Sequence, residues 1–133
     1  MVIDDLLDDI VRSAQPDYRL VLATKTIKGA LIQDAGVQVR DVGCVEFDES
    51  ESILRFVPGY MSGEQGNIQV KTAQDLRNAI KSASVSYQLL GVDRRKERPD
   101  GSMASLTVPV VGTYIDTEDK EIWLLQAPIE QWE

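Results

Sequence analysis

Four consecutive residues, Ile122, Trp123, Leu124 and Leu125, constrain this chain more than any other stretch. A strand points successive side chains to opposite faces, so an unbroken apolar run leaves neither face suited to water. The segment Glu121 to Gln126 is therefore expected to be a strand that is central in a sheet or covered on both sides. The run before it, Met103 to Ile115, places Ala104, Leu106, Val108, Val110 and Tyr114 on one face, read as core, with Ser105, Thr107 and Thr113 opposite. Between the two runs, Asp116, Thr117, Glu118 and Asp119 supply short polar side chains that bond nearby backbone, so the pair reads as a hairpin. Pro109 lacks a backbone donor and requires a bulge or an open edge in its strand. Upstream, Val85, Tyr87 and Leu89 alternate with Ser84, Ser86 and Gln88 as in a half-buried antiparallel strand.

The rest of the chain reads as packing against that stretch. Ile3, Leu6, Leu7, Ile10, Val11 and Ala14 follow helical spacing, with Pro16 just past a natural end. The other face of that helix carries Asp4, Asp5, Asp8 and Asp9. They read as a solvated face or, alternatively, as a docking stripe for a basic partner. Tyr18 to Lys28 has strand composition, and Lys28-Gly29 suits a turn into Ala30 to Gln33. Val37 and Val39 share a face, as do Val45 and Phe47, while Val42 and Cys44 take the opposite register, which predicts a bulge near Gly43. Residues 48–52 form a loop and Ile53 to Val57 the next strand, so these segments read as a meander. Pro58 to Asn67 lacks periodicity, and its glycines are not followed by the Lys-Ser or Lys-Thr of a phosphate-binding loop. Thr72 and Asp75 bracket a capping box that opens a second helix with a stripe of Leu76, Ala79, Ile80 and Ala83. No internal repeat is visible.

Composition narrows the function classes. The 133 residues, 43% of them hydrophobic, suit one core, hence one domain over residues 1–133. No apolar run approaches the roughly 20 residues that a bilayer span requires. Four Asp and no base in residues 1–9 reverse the pattern of a secretory leader, so a cytoplasmic location is expected. With no His, Ser-His-Asp and Cys-His catalysis and His-ligated metals are excluded. The single Cys44 reads as a small buried hydrophobe. A formal net charge of -8 argues against broad binding to nucleic acid or to an anionic membrane.

Three clusters could carry function. Arg94, Arg95, Lys96 and Arg98 crowd the segment Gly91 to Gly101, read as a hairpin loop with its turn at Pro99-Asp100-Gly101. Their guanidinium groups suit phosphate or carboxylate, and the bland alternative is a solvated hairpin tip. Asp48, Glu49 and Glu51, and likewise Asp116, Glu118, Asp119 and Glu121, lack an EF-hand pattern and read as solvated turns, with no metal or cofactor assigned. Ile122, Trp123, Leu125 and Trp132 form an apolar surplus that would cap the core or make a subunit interface. The expectation is an α+β domain, a curved antiparallel sheet of about six strands with two helices packed on it. In function it is read as a non-catalytic interaction module that forms a homo-oligomer and meets a protein partner with an acidic or phosphate-bearing surface. The alternatives are a small-ligand or enzymatic domain with an apolar pocket, and an acidic nucleic-acid mimic.

Overall fold

The computed structural model describes residues 1–13, 15–27, 35–61, 68–80, 85–127 and 132. The expected turn at Lys28-Gly29, the segment Ala30 to Gln33, residues 62–67 of the connection, and Ala14, Ala83, Ser84 and Ile129 lie outside them. The elements are α1 (Ile3–Ser13), β1 (Arg19–Ile27), β2 (Ala35–Asp48), β3 (Ile53–Pro58), a 3-10 turn at Gly59–Met61, β4 (Ile68–Gln69), α2 (Ala73–Ala79), β5 (Gln88–Glu97), β6 (Met103–Asp116) and β7 (Glu121–Gln126). Among the described residues no helix is long and apolar enough to cross a membrane.

The strands lie in the order β1-β7-β6-β5-β3-β2-β4, and β1 also pairs with β2. Six strands therefore close into a barrel, and the two-residue β4 adds to β2 at Cys44 and Val45. This corrects the expected six-stranded antiparallel sheet. There are seven strands, and the sheet is mixed, because β1 runs parallel to β7 and β3 parallel to β5. Both parallel contacts join segments far apart in sequence, and no local turn signal encodes such a pairing.

Closure depends on two 14-residue strands that each serve two neighbours. β2 pairs with β1 through residues 35–41 and with β3 from Val42 onward; β6 pairs with β5 up to Pro109 and with β7 from Val110 onward. Each changes partner at a bulge, Val42/Cys44 in β2 and Val110/Gly112 in β6. The first was expected near Gly43. The second meets the requirement of Pro109, which stands at the last β5-paired position of its strand. A bulge also reverses which residues face inward. Val110 therefore points in, whereas Tyr114, expected on the core face, points out and is 56% exposed.

The barrel interior is filled by side chains. Leu20, Leu22, Leu54, Phe56, Leu89, Ile122 and Leu124 are at most 1% exposed and share one cluster with Ile3, Leu6 and Ile10 of α1 and Ala73 and Leu76 of α2. Ile3, Leu6 and Ile10 of α1 and Leu76 of α2 are buried as their spacing predicted, which supplies what such short helices lack in isolation, whereas Val11, expected on the α1 stripe, is 64% exposed. The capping box at α2 is also present, with Asp75 N–H donating to Thr72 Oγ1 at 3.2 Å and Thr72 N–H to Asp75 Oδ2 at 3.1 Å.

The chain repeats itself. α1-β1-β2-β3 and α2-β5-β6-β7 have the same order, and the hydrogen bonds that attach each helix are the same. Ile3 N–H donates to Tyr87 O at 3.0 Å and Ala73 N–H to Tyr18 O at 2.9 Å; Leu89 N–H donates to Met1 O at 3.1 Å and Leu20 N–H to Lys71 O at 2.9 Å. Each helix is therefore bound to the first strand of the other half. Each half's first strand also runs parallel to the other half's last. The turns after β2 and β6 match as well: Asp48 and Asp116 accept backbone N–H groups, and Ser52 and Lys120 hold φ of 57° and 55°. This repeat contradicts the reading of the sequence as free of one.

Candidate functional site

Because the halves correspond, residues that differ at matched positions stand out. On the outer face of the first half, Glu46 lies opposite Arg55; in the second half the matched pair is Tyr114 opposite Trp123. Glu46 and Arg55 belong to a dense ionic network, with Arg95 Nη2 2.6 Å and Arg55 Nε 3.4 Å from Glu46 Oε1 and Arg55 Nη1 3.6 Å from Asp48 Oδ2. The Ser50 hydroxyl first, and the Glu51 N–H next, lower the Asp48 carboxyl from its ordinary value. Beside this network on the same strands, Cys44 and Val57 form with Val92 a second buried cluster, with Met61 packed against it. Cys44 is thus packed as its composition suggested.

The matched face of the second half has aromatic rings instead. Tyr114 and Trp123 lie with centroids 5.3 Å apart, and Trp123 Nε1–H donates to Glu121 Oε1 at 3.3 Å. Leu125 is half-buried on the same face, and Val37 and Val39 of the neighbouring β1–β2 pair are exposed. Ile122, expected at an interface, points into the barrel and is fully buried; Trp123, Leu125 and Trp132 retain surface. Trp132 Nε1–H donates to the Gln126 carbonyl at 2.9 Å. One edge of the face carries Asp116, Asp119 and Glu121, whose carboxylate oxygens lie within 4.8 Å of one another. Two of them have local partners. Asp116 Oδ1 accepts from the N–H groups of Glu118 and Asp119, and Glu121 Oε2 from Arg19 Nη2 at 3.0 Å. Asp116 thus serves its turn as the sequence suggested, whereas Glu121, expected in a solvated turn, is a buried residue of β7.

The basic residues do not share a loop. Arg94, Arg95 and Lys96 are strand residues of β5, which runs on to Glu97, and Arg98 follows it. In turn, the expected strand at Val85 to Leu89 begins only at Gln88. The turn chemistry is confined to the tip, where Gly101 has φ of 86° and Asp100 Oδ1 accepts from the Ser102 N–H at 2.9 Å and hydroxyl at 2.6 Å. Residues 92–97 and 103–107 pair only with each other among the described residues, so they form a two-stranded arm beyond the barrel wall. Strand alternation divides the arm's charges. Arg94 and Lys96 share one face with Leu106, which is 57% exposed, and Arg94 has a side chain 80% exposed, near Asp93 at 3.6 Å. Arg95 takes the other face, where it is 8% exposed and paired with Glu46.

A half-open cleft of about 260 Å³ is lined by Arg19, Asp41, Lys71, Leu20, Val42, Gly43, Gly59 and Gln69, and Arg19 in it is already 3.8 Å from Asp41. Arg40 braces the barrel mouth, 3.7 Å from Asp93 Oδ1 and donating to Tyr60 Oη and Asp93 O at 3.2 Å. The acidic face of α1 is partly structural: Asp5 Oδ2 accepts from Val2 N–H at 3.1 Å and Asp9 Oδ2 from the Thr113 hydroxyl at 2.7 Å. No protein-family model, curated protein or solved structure matches the chain.

Proposed function

We propose that this protein is a non-catalytic interaction module whose projecting β5–β6 arm engages an acidic or phosphate-bearing surface, and whose outer aromatic face takes part in self-association. The arm is the observation that carries this reading. Arg94 and Lys96 stand in solvent beside exposed Leu106, and Arg98 follows at the tip, so forked and point donors are offered with apolar contact between them. The packed barrel axis supports the same reading, since Leu22, Leu54, Phe56 and Leu124 occupy the space that a ligand lumen would need. The test is the Arg94→Ala/Lys96→Ala/Arg98→Ala variant, three exposed positions whose loss leaves the Arg95–Glu46 pair in place. In pull-downs at low salt the variant is expected to lose its partners while its thermal midpoint stays near that of the native chain. Retention of every partner ends the reading.

A further inference from the structure

The partner surface that the arm requires is present on the protein itself. We infer that the arm of one copy docks on the aromatic face of a second copy, so that the chain assembles head to tail; this rests on the reading of the arm given above. The two surfaces are complementary in kind. The arm offers Arg94 and Lys96 around Leu106, and the face offers Tyr114 and Trp123 beside the exposed carboxylate of Asp119. A guanidinium over Tyr or Trp, with a carboxylate at the ring's edge, gains both cation–π and ionic attraction. The first half shows what this position looks like when no cation is awaited, since its matched residues Glu46 and Arg55 satisfy each other.

One copy cannot make the contact alone. Arm and face lie at opposite ends of β6, and Leu106 and Tyr114 are eight residues apart on one strand, about 25 Å at the usual rise, well beyond the reach of an Arg side chain. Because two different surfaces meet, the contact is heterologous. It leaves one unused arm and one unused face on every dimer, so growth continues to a ring or an open filament. The net charge of -8 on each copy opposes approach at long range, but at about 0.1 M salt the screening length of about 10 Å leaves contact pairs effective while muting the repulsion.

Sedimentation of the full chain at about 0.1 M salt, over a range of concentrations, tests the inference with two variants. Arg94→Glu/Lys96→Glu spoils the arm, and Tyr114→Lys/Asp119→Lys spoils the face; all four positions are exposed, so folding is retained and circular dichroism verifies it. The native chain is expected to pass beyond dimers. Each variant alone is expected to stay monomeric, its self-affinity lower by about tenfold or more. An equimolar mixture is expected to stop at a 1:1 dimer, because only one intact arm and one intact face remain. A monomeric native chain, a mixture that stays monomeric, or variants that each still self-associate would overturn it, the last by pointing to a symmetric contact. A fluorescent poly-glutamate peptide separates the two ideas. If the face variant binds it but the native chain does not self-associate, the head-to-tail contact falls and the arm reading survives; if the native chain does not bind it either, both fall.

Discussion

Where the first half sets Glu46 against Arg55, the second sets Tyr114 against Trp123, on the same strands, after the same bulge and before the same turn. The backbone has been kept and the outer chemistry exchanged. In the first half the network closes on itself, because Glu46 is shared by Arg55 and by Arg95 from the neighbouring strand. In the second the rings meet at a tilt of 57° and leave Tyr114 more than half exposed. The lesson is that one face is spent on stability and the other is available for contact.

The largest effect should come from removing the ionic face. Glu46→Ala takes the carboxylate from two guanidinium groups, one of them almost fully buried, and is expected to cost about 3 kcal/mol in urea denaturation. Tyr114→Ala at the matched position should cost only about 0.5–1.5 kcal/mol, the value of an aromatic pair, while abolishing self-association. Equal costs would erase the contrast between the halves.

A second contrast lies inside the barrel, where Leu22 of β1 matches Gly91 of β5. The two face each other: a Cβ on Gly91 would stand 2.9 Å from Leu22 Cδ2 and 2.7 Å from Gln126 Nε2. Gly91→Ala is thus expected to lower stability by about 2 kcal/mol through overpacking, and Leu22→Ala in the same chain should recover part of that loss. Additive losses measured by denaturation would show that the two sites do not share the space.

The helix starts differ more gently. Thr72 caps α2 with its hydroxyl, whereas the matched Val2 offers none. Thr72→Ala should cost about 1 kcal/mol, and Val2→Thr should return several tenths, read as shifts in thermal midpoint. Smallest is the acid response at Asp75. The N–H of Lys71 first, and that of Thr72 next, hold this carboxyl below its ordinary 3.8. Its contribution to stability is therefore present above about pH 4 and lost as pH falls through the depressed folded value. Asp75→Asn should show a shallower loss of stability over that range, and an unchanged slope would contradict the assignment.

Much of the fold could be read from residues that act locally. The stripe Ile3, Leu6, Ile10, the capping pair Thr72 and Asp75, the turn at Asp116 and the central strand at Ile122 to Leu125 all formed where their chemistry placed them. The repeat was hidden because it preserves roles, not residues. Asp5 and Asp75, Leu6 and Leu76, Tyr18 and Tyr87, Leu20 and Leu89, and Asp48 and Asp116 match, but they are scattered among unlike neighbours and their spacing drifts. Simple alternation gives the wrong face for Tyr114 because a single bulge between Val110 and Gly112 reverses it downstream. The charge density of the basic cluster resembles a hairpin tip, yet only residues 99–101 carry turn chemistry and Arg94, Arg95 and Lys96 belong to β5.

Since α1 is bonded to β5 and α2 to β1, neither half can be peeled off without stripping the other of its lid. Loss of order should thus spread through the whole barrel at once, and the slowest-exchanging amides of β1 and β5 should let go together, as the two hands of a clasp do.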